Sequence, residues 1–266
     1  TVIDYTSTAV AGATVQAKDL VDGLYQSDHV GLTTSRLLYM RQPERINLCG
    51  QELLYTGMTF GRGTLRPAAE FNAAEAVGSV SGASFAVRRS LWEQLGGFDA
   101  SFFMYYEETD LSWRAGLLGY TCRYMPGSIA YHDAGLQPSP AAAYYAARNR
   151  AVMVLKHWKW PTLLCMLPAI LATELVEWAY LLRLGWGYAR AKLRACAWQL
   201  AHAGQILQSR RQAQAGRKVS DAWLLESCAY RLSPKVLSIN RLGRGLIWMA
   251  NLLLWINYRA ALIFTR

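Results

Sequence analysis

Between Glu177 and Asp221 this chain carries no acidic residue, while Arg183, Arg190, Lys192, Arg194, Arg210, Arg211, Arg217 and Lys218 all fall there. That run splits the sequence into two chemically different halves. Residues 1–139 hold ten Lys+Arg against fourteen Asp+Glu, whereas residues 140–266 hold eighteen against four. Eight of the ten Trp, from Trp158 to Trp255, share the basic half. A cationic run seeks an anionic surface, either lipid headgroups or nucleic acid. Indole beside Lys/Arg and Leu/Ile is the chemistry of a bilayer interface, and no nucleic-acid-binding motif is present, so anionic membrane lipids are the expected partner. At 53% hydrophobic and 17% charged residues, the chain is too apolar for disorder.

Cys49, Cys122, Cys165, Cys196 and Cys228 are odd in number and widely spaced, with no C-x-x-C pair. They read as thiols of a reducing compartment, neither a disulfide framework nor a zinc site. The first residues lack the basic start and apolar run of a signal peptide, and a chain opening at Thr1 is expected to be part of a longer protein.

Apolar spacing predicts a helix over 15–25 and a strand over 30–34. Phe85 to Val87 reads as a strand, and Ser90-Leu-Trp-Glu93 as a capping box opening a helix that Gly96-Gly97 ends. A second helix is expected from about Glu107 to Leu118, with Asp110 and Arg114 one turn apart and Leu111, Ala115 and Leu118 facing inward. The aromatic run ahead of it, Phe102, Phe103, Tyr105 and Tyr106, reads mostly as core, with one or two rings free to stack on a sugar. Tyr120–Met125 and Ile129–His132 read as two strands separated by a Pro126-Gly127 turn. Short strands alternating with helices define an α/β layer. Beyond Pro140 the character is helical. Residues 160–184 and 246–264 are strongly apolar, but Pro168, Glu174 and Glu177 interrupt one and Asn251, Asn257 and Arg259 the other, which leaves open whether they span a membrane or lie on it. On the second, Arg244, Asn251, Arg259 and Arg266 share a face from which Asn257 departs.

Several spaced motifs follow one another in the α/β part. Val80-Ser-Gly-Ala-Ser-Phe-Ala-Val-Arg-Arg89 is followed by Gly96-Gly-Phe-Asp99, by Phe102-Phe-Met-Tyr-Tyr-Glu-Glu-Thr-Asp-Leu-Ser-Trp-Arg114, by Gly119-Tyr120 and by Tyr131-His132. In that order they resemble family 2 glycosyltransferases, most of all the rhamnosyltransferase-like bacterial branch that serves cell wall or polysaccharide biosynthesis. The resemblance implies the acceptor-side part of a GT-A domain over residues 1–138, and a basic, Trp-rich, helical membrane-associating region over 139–266. It also implies an inverting transfer of a sugar from a nucleotide-sugar to a glycan or lipid-linked acceptor, at the cytoplasmic face of the cell membrane.

By position within the motifs, Glu108 stands where the family's general base stands, although that residue is commonly Asp. Glu107 beside it would orient the acceptor or serve structure, and Asp110 would either join the chemistry or pair with Arg114. The same carry-over puts Gly97, Phe98, Asp99, Tyr106, Trp113 and Arg114 at the substrate. His132 falls where some members have a ligand for a metal or diphosphate, and a divalent Mg or Mn ion is the implied cofactor. The family's D-x-D and nucleotide-binding strands would precede the first helix, where residues 1–14 offer only Asp4. A non-catalytic membrane-bound remnant or partner subunit is therefore the alternative reading.

Overall fold

A computed structural model describes residues 17–133, 139–232 and 241–265, so the stretch holding Asp4 lies outside the described residues, as do Arg266 and the side chain of Arg244. The chain divides into two compact units, residues 1–52 with 61–137, and residues 53–60 with 138–266.

The first unit is built on a mixed sheet. Strand β1 (Val30–Tyr39) is buried along almost its whole length, including Thr33, Thr34 and Ser35, as a central strand covered on both faces must be. On one edge it runs parallel to β7 (Thr121–His132). On its other edge β6 (Phe85–Val87) pairs antiparallel with the first half and β2 (Gln42–Leu48) with the second. Strand β5 (Glu75–Val77) completes the sheet against β7. Strands β3 (Gln51–Leu53) and β4 (Thr59–Gly61) form a separate short hairpin.

Leu20 and Leu24 of helix α1 (Ala17–Leu24) pack with Val30, Ala86 and Met125. Helices α2 (Arg89–Leu95) and α3 (Glu107–Leu117) bury Leu91, Leu111 and Ala115 with Leu32, Ile46, Val80 and Tyr124, and Leu118 packs at the edge of that cluster. The inward stripe expected of α3 is the one observed.

Two local expectations need correction. No side chain caps α2: Arg88 occupies the N-cap position, and Glu93 pairs at 2.8 Å with Arg89 rather than reaching back to the helix start. The turn at Pro126-Gly127 does not end a strand. The pairing with β1 steps from Ser35 with Met125 to Arg36 with Ile129, so Pro126, Gly127 and Ser128 bulge out and β7 continues. A Cβ added at Gly127 would fall 1.9 Å from the Asp19 carboxylate, so a larger residue there would require that side chain to move aside.

The second unit is helical, with α4 (Pro140–His157), α5 (Trp160–Leu184), α6 (Trp186–Ala201), α7 (Ala203–Ala215), α8 (Asp221–Glu226) and α9 (Arg241–Phe264). The segment Leu53–Phe60 is threaded into it. Ala229 donates to the Leu53 carbonyl at 2.8 Å, Trp158 Nε1 donates to the Tyr55 carbonyl at 3.0 Å, and the Tyr55 hydroxyl donates to the Leu254 carbonyl at 2.9 Å.

Helix α5 is not broken by Pro168. A proline inside a helix removes one N–H and crowds the carbonyls of the preceding turn. Here Asn257 of α9 donates to the Cys165 carbonyl at 2.8 Å, which explains why that asparagine leaves the polar face of its helix. By length and composition α5 and residues 247–264 of α9 are each sufficient to cross a membrane.

The basic run, expected to face lipid, is partly consumed inside this unit. Lys192, 2% exposed at its side chain, and Arg150 meet Glu174 and Glu177. Arg210 donates to the Leu155 and Trp158 carbonyls, Gln214 to those of Lys156 and His157, and Arg217 to that of His157, so α7 and the turn after it satisfy the end of α4.

Candidate active site

Helix α3 begins with three carboxylates in its first turn, Glu107, Glu108 and Asp110, where the helix dipole favours negative charge. The chain reaches it through strained backbone. Phe103, Tyr105 and Tyr106 have φ of 58°, 65° and 72°, a left-handed region that costs bulky residues on the order of 1–3 kcal/mol each. Phe102 is buried beneath this arch, but Phe103 is 75% exposed, against the expectation that most of these rings are core. The Tyr106 carbonyl accepts from the Asp110 amide at 2.7 Å, closing the first turn.

Asp110 is fully buried. Its Oδ2 accepts from Arg114 Nε at 2.7 Å, while the same guanidinium donates to the carbonyls of Leu95 and Gly97, both at 2.7 Å. Arg114 thus ties α3 to the glycine turn that ends α2. Gly97 has φ 72°, and an added Cβ would lie 2.9 Å from the Trp92 indole, so any other residue there would be strained in its backbone and would press on the ring. Phe98 packs edge-on to Trp92 and Phe85, Asp99 accepts from the Ser101 amide at 3.0 Å, and Trp113 is buried.

Glu108, 8% exposed, sits in a pocket of its own. Gln51 Nε2 donates to its Oε1 at 2.5 Å, and its carboxyl lies beside Gly82, 3.6 Å from where a Cβ would stand. Burial, with the negative charge of Glu107 next, pushes the Glu108 carboxyl up to about 7, although its own backbone N–H and the Gln51 amide pull the other way. Burial also raises Glu107, whose Oε2 has no hydrogen-bond partner among the described residues.

The surroundings hold Glu108 from below. Ser112 Oγ donates to the Glu108 carbonyl at 2.7 Å and accepts from the Val80 amide at 3.3 Å. Gln51 is fixed by its backbone, which donates to Ser79 at 2.9 Å and accepts from Gly78 at 3.1 Å. Thr34 and Ser35 of β1 anchor the loop at Ser81 and Ser84. Sequence reasoning missed Gln51 and Ser112. The Ser81-Gly82 loop lies inside the Val80–Arg89 motif, but a glutamine in a turn-rich stretch carries no signal of the carboxylate it faces.

His132 ends β7, and its Nδ1 lies 3.1 Å from Asn47 Oδ1. Among the described residues no three His, Cys, Asp or Glu side chains come together as a metal-binding group.

Residues 66–263 match the model of a family described as "Glycosyl transferase family group 2". Two curated relatives, from Mycobacterium tuberculosis strains CDC 1551 / Oshkosh and ATCC 25618 / H37Rv, are each named N-acetylglucosaminyl-diphospho-decaprenol L-rhamnosyltransferase. Each is 35% identical over 88 residues, covering 32% of this chain and 29% of the relative. The chain therefore matches less than a third of the length of these relatives.

The raised Glu108 carboxyl makes stability depend on pH in a defined direction. Below about 4.5 both folded and unfolded chains hold this proton, and between there and about 7 only the folded one does, so stability falls as pH rises through that window. Glu108→Gln removes the loss and is expected to gain about 1–3 kcal/mol at pH 8 and little at pH 4. Urea unfolding at both pH values measures the difference. A gain that does not grow with pH would contradict it.

Proposed function

The chain belongs to the glycosyl transferase family group 2, and from that premise we propose that it carries the acceptor-activating part of an inverting glycosyltransferase, with Glu108 as general base. The single observation supporting this is a buried carboxylate at the start of α3 whose proton affinity lies near neutral pH. A sugar hydroxyl is a poor nucleophile. Glu108 would take its proton as the oxygen attacks the anomeric carbon, while the bond from that carbon to the nucleotide diphosphate breaks with its electron pair on the leaving group. A base matched to the working pH is the most effective one, and its conjugate acid can pass the proton to water afterwards.

Glu107 is proposed to orient the acceptor and to hold up the Glu108 carboxyl. Asp110, committed to Arg114, is proposed to position the helix. Gly97, Phe98 and Asp99 shape the turn, and Tyr106 and exposed Phe103 are candidates to meet a sugar ring. A divalent metal would supply positive charge to the leaving diphosphate. The described residues do not assemble a site for it, His132 offering one ligand at most, and no step above depends on it. The name of the mycobacterial relatives supports a lipid-linked diphospho-sugar as the class of acceptor.

Membrane association at the cytoplasmic face is part of the same proposal. Leu164, Leu167, Leu171, Leu175 and Leu182 form one exposed stripe along α5, and α9 exposes Trp248, Leu252, Trp255, Ile256 and Phe264. Apolar stripes flanked by tryptophan fit lipid better than water.

In an active preparation containing this chain, Glu108→Gln is expected to lower turnover at least ~10²-fold with donor affinity little changed. Near-normal turnover by the folded variant would remove the carboxylate from the mechanism. Flotation with liposomes tests the membrane reading: the protein is expected to rise with anionic vesicles, and a folded preparation that stays down with every lipid mixture would exclude it.

A further inference from the structure

A cavity of about 470 Å³ opens at the head of α4 and α6, walled by Pro140, Tyr144 and Tyr145 of the former and Gly187, Arg190 and Arg194 of the latter. Among the described residues no carboxylate lines it. We propose that this cavity is a discrete binding site for a phosphate group carried on an apolar chain.

Charge is the first argument. Arg190 and Arg194 stand one helical turn apart, both exposed, and neither forms an ion pair with a described residue. Lys192 between them turns inward, and with Arg150 it takes up Glu174 and Glu177, so the nearest acids in sequence are spent elsewhere. Two guanidinium groups at this spacing match the oxygens of one phosphate or a diphosphate. The backbone adds to them. Gly187 belongs to the first turn of a 16-residue helix, whose leading N–H end carries partial positive charge, whereas at the head of α4 Pro140 has no N–H and the Ser139 hydroxyl already accepts from the Ala142 amide at 3.1 Å.

The walls are built rather than incidental. Arg148, 7% exposed, lies with its guanidinium 4.5 Å from the Trp198 ring centre and 5.0 Å from that of Tyr145, which fixes the aromatic wall. Arg194 lies 5.6 Å from the Tyr144 ring, so the guanidinium is steered by the ring while its N–H edge stays available.

The rim argues for a chain on the phosphate. Trp186 and Leu193 are exposed next in sequence to the lining residues Gly187 and Arg194, and Leu182 and Leu184 are exposed at the end of α5 just before them. A bare anion gains nothing from such a rim, whereas a lipid phosphate buries its first methylenes there. The proposal goes beyond general attraction of a basic surface, and it rests on the membrane reading only for the source of the chain.

Calorimetric titration of the full chain in neutral detergent tests it with three probes: dihexanoyl phosphatidic acid, dihexanoyl phosphatidylcholine and inorganic pyrophosphate. Saturable one-site binding is expected for the phosphatidic acid, with the other two weaker. Loss of two charged contacts in Arg190→Gln/Arg194→Gln should weaken it at least about tenfold, while Arg211→Gln/Lys218→Gln, which removes the same charge from another exposed surface, should change it less than about twofold. Equal losses in the two double variants would mean diffuse charge and overturn the site. Unchanged affinity in the first would place the ligand elsewhere, and pyrophosphate binding as tightly as the lipid would overturn the chain-bearing ligand. Flotation of wild type on anionic liposomes that persists when the titration finds no site overturns the cavity and leaves the membrane reading standing.

Discussion

The candidate site depends on one buried ion pair. Asp110 has no exposure and Arg114 little, and charges so placed persist only when their remaining hydrogen-bonding capacity is met. Arg114 meets its own by donating to the Leu95 and Gly97 carbonyls, which are free to accept because Gly96 and Gly97 turn the end of α2 through left-handed backbone. The pair therefore does more than staple one turn of α3. It sets the distance between the end of one helix and the start of the next, and the aromatic arch from Phe102 to Tyr106 must close within that distance. Three non-glycine residues within that arch, Phe103, Tyr105 and Tyr106, lie at positive φ. Glu108, one turn before Ser112, is carried into its pocket by the same constraint.

What the pocket does to Glu108 follows from desolvation. A carboxylate taken out of water keeps its proton longer, and one hydrogen bond from Gln51 together with a backbone N–H offsets only part of that effect. Serine and threonine side chains hold the pocket's floor because β1 is buried on both faces at Thr33, Thr34 and Ser35, where polar groups must find partners inside. Placement of the Glu108 pocket and satisfaction of a polar strand draw on the same serine and threonine side chains.

Much of this was legible beforehand where spacing alone decides. Leu111 and Ala115 face the core, and Asp110 meets Arg114, because positions three and four apart share a helix face. Tertiary contacts decided the rest. Ser90 and Glu93 match the pattern of a capping box, yet Arg89 takes the glutamate. Pro126-Gly127 reads as a turn, but parallel pairing with β1 resumes at Ile129 and absorbs it as a bulge. Lys192, Arg210 and Arg217 read as surface charge, whereas carbonyls and carboxylates of neighbouring helices draw them inward. Gln51 and Glu108 are 57 residues apart, and no local pattern announces their contact.

The central claim is that Glu108 is held as a carboxyl group poised to exchange its proton near neutral pH. Following the side-chain carboxyl carbon of Glu108 by ¹³C NMR from pH 4 to pH 9, with Glu108→Gln to assign the resonance, tests this without requiring turnover. The account predicts a titration midpoint at about 7. A midpoint at the ordinary glutamate value near 4.5 would contradict it.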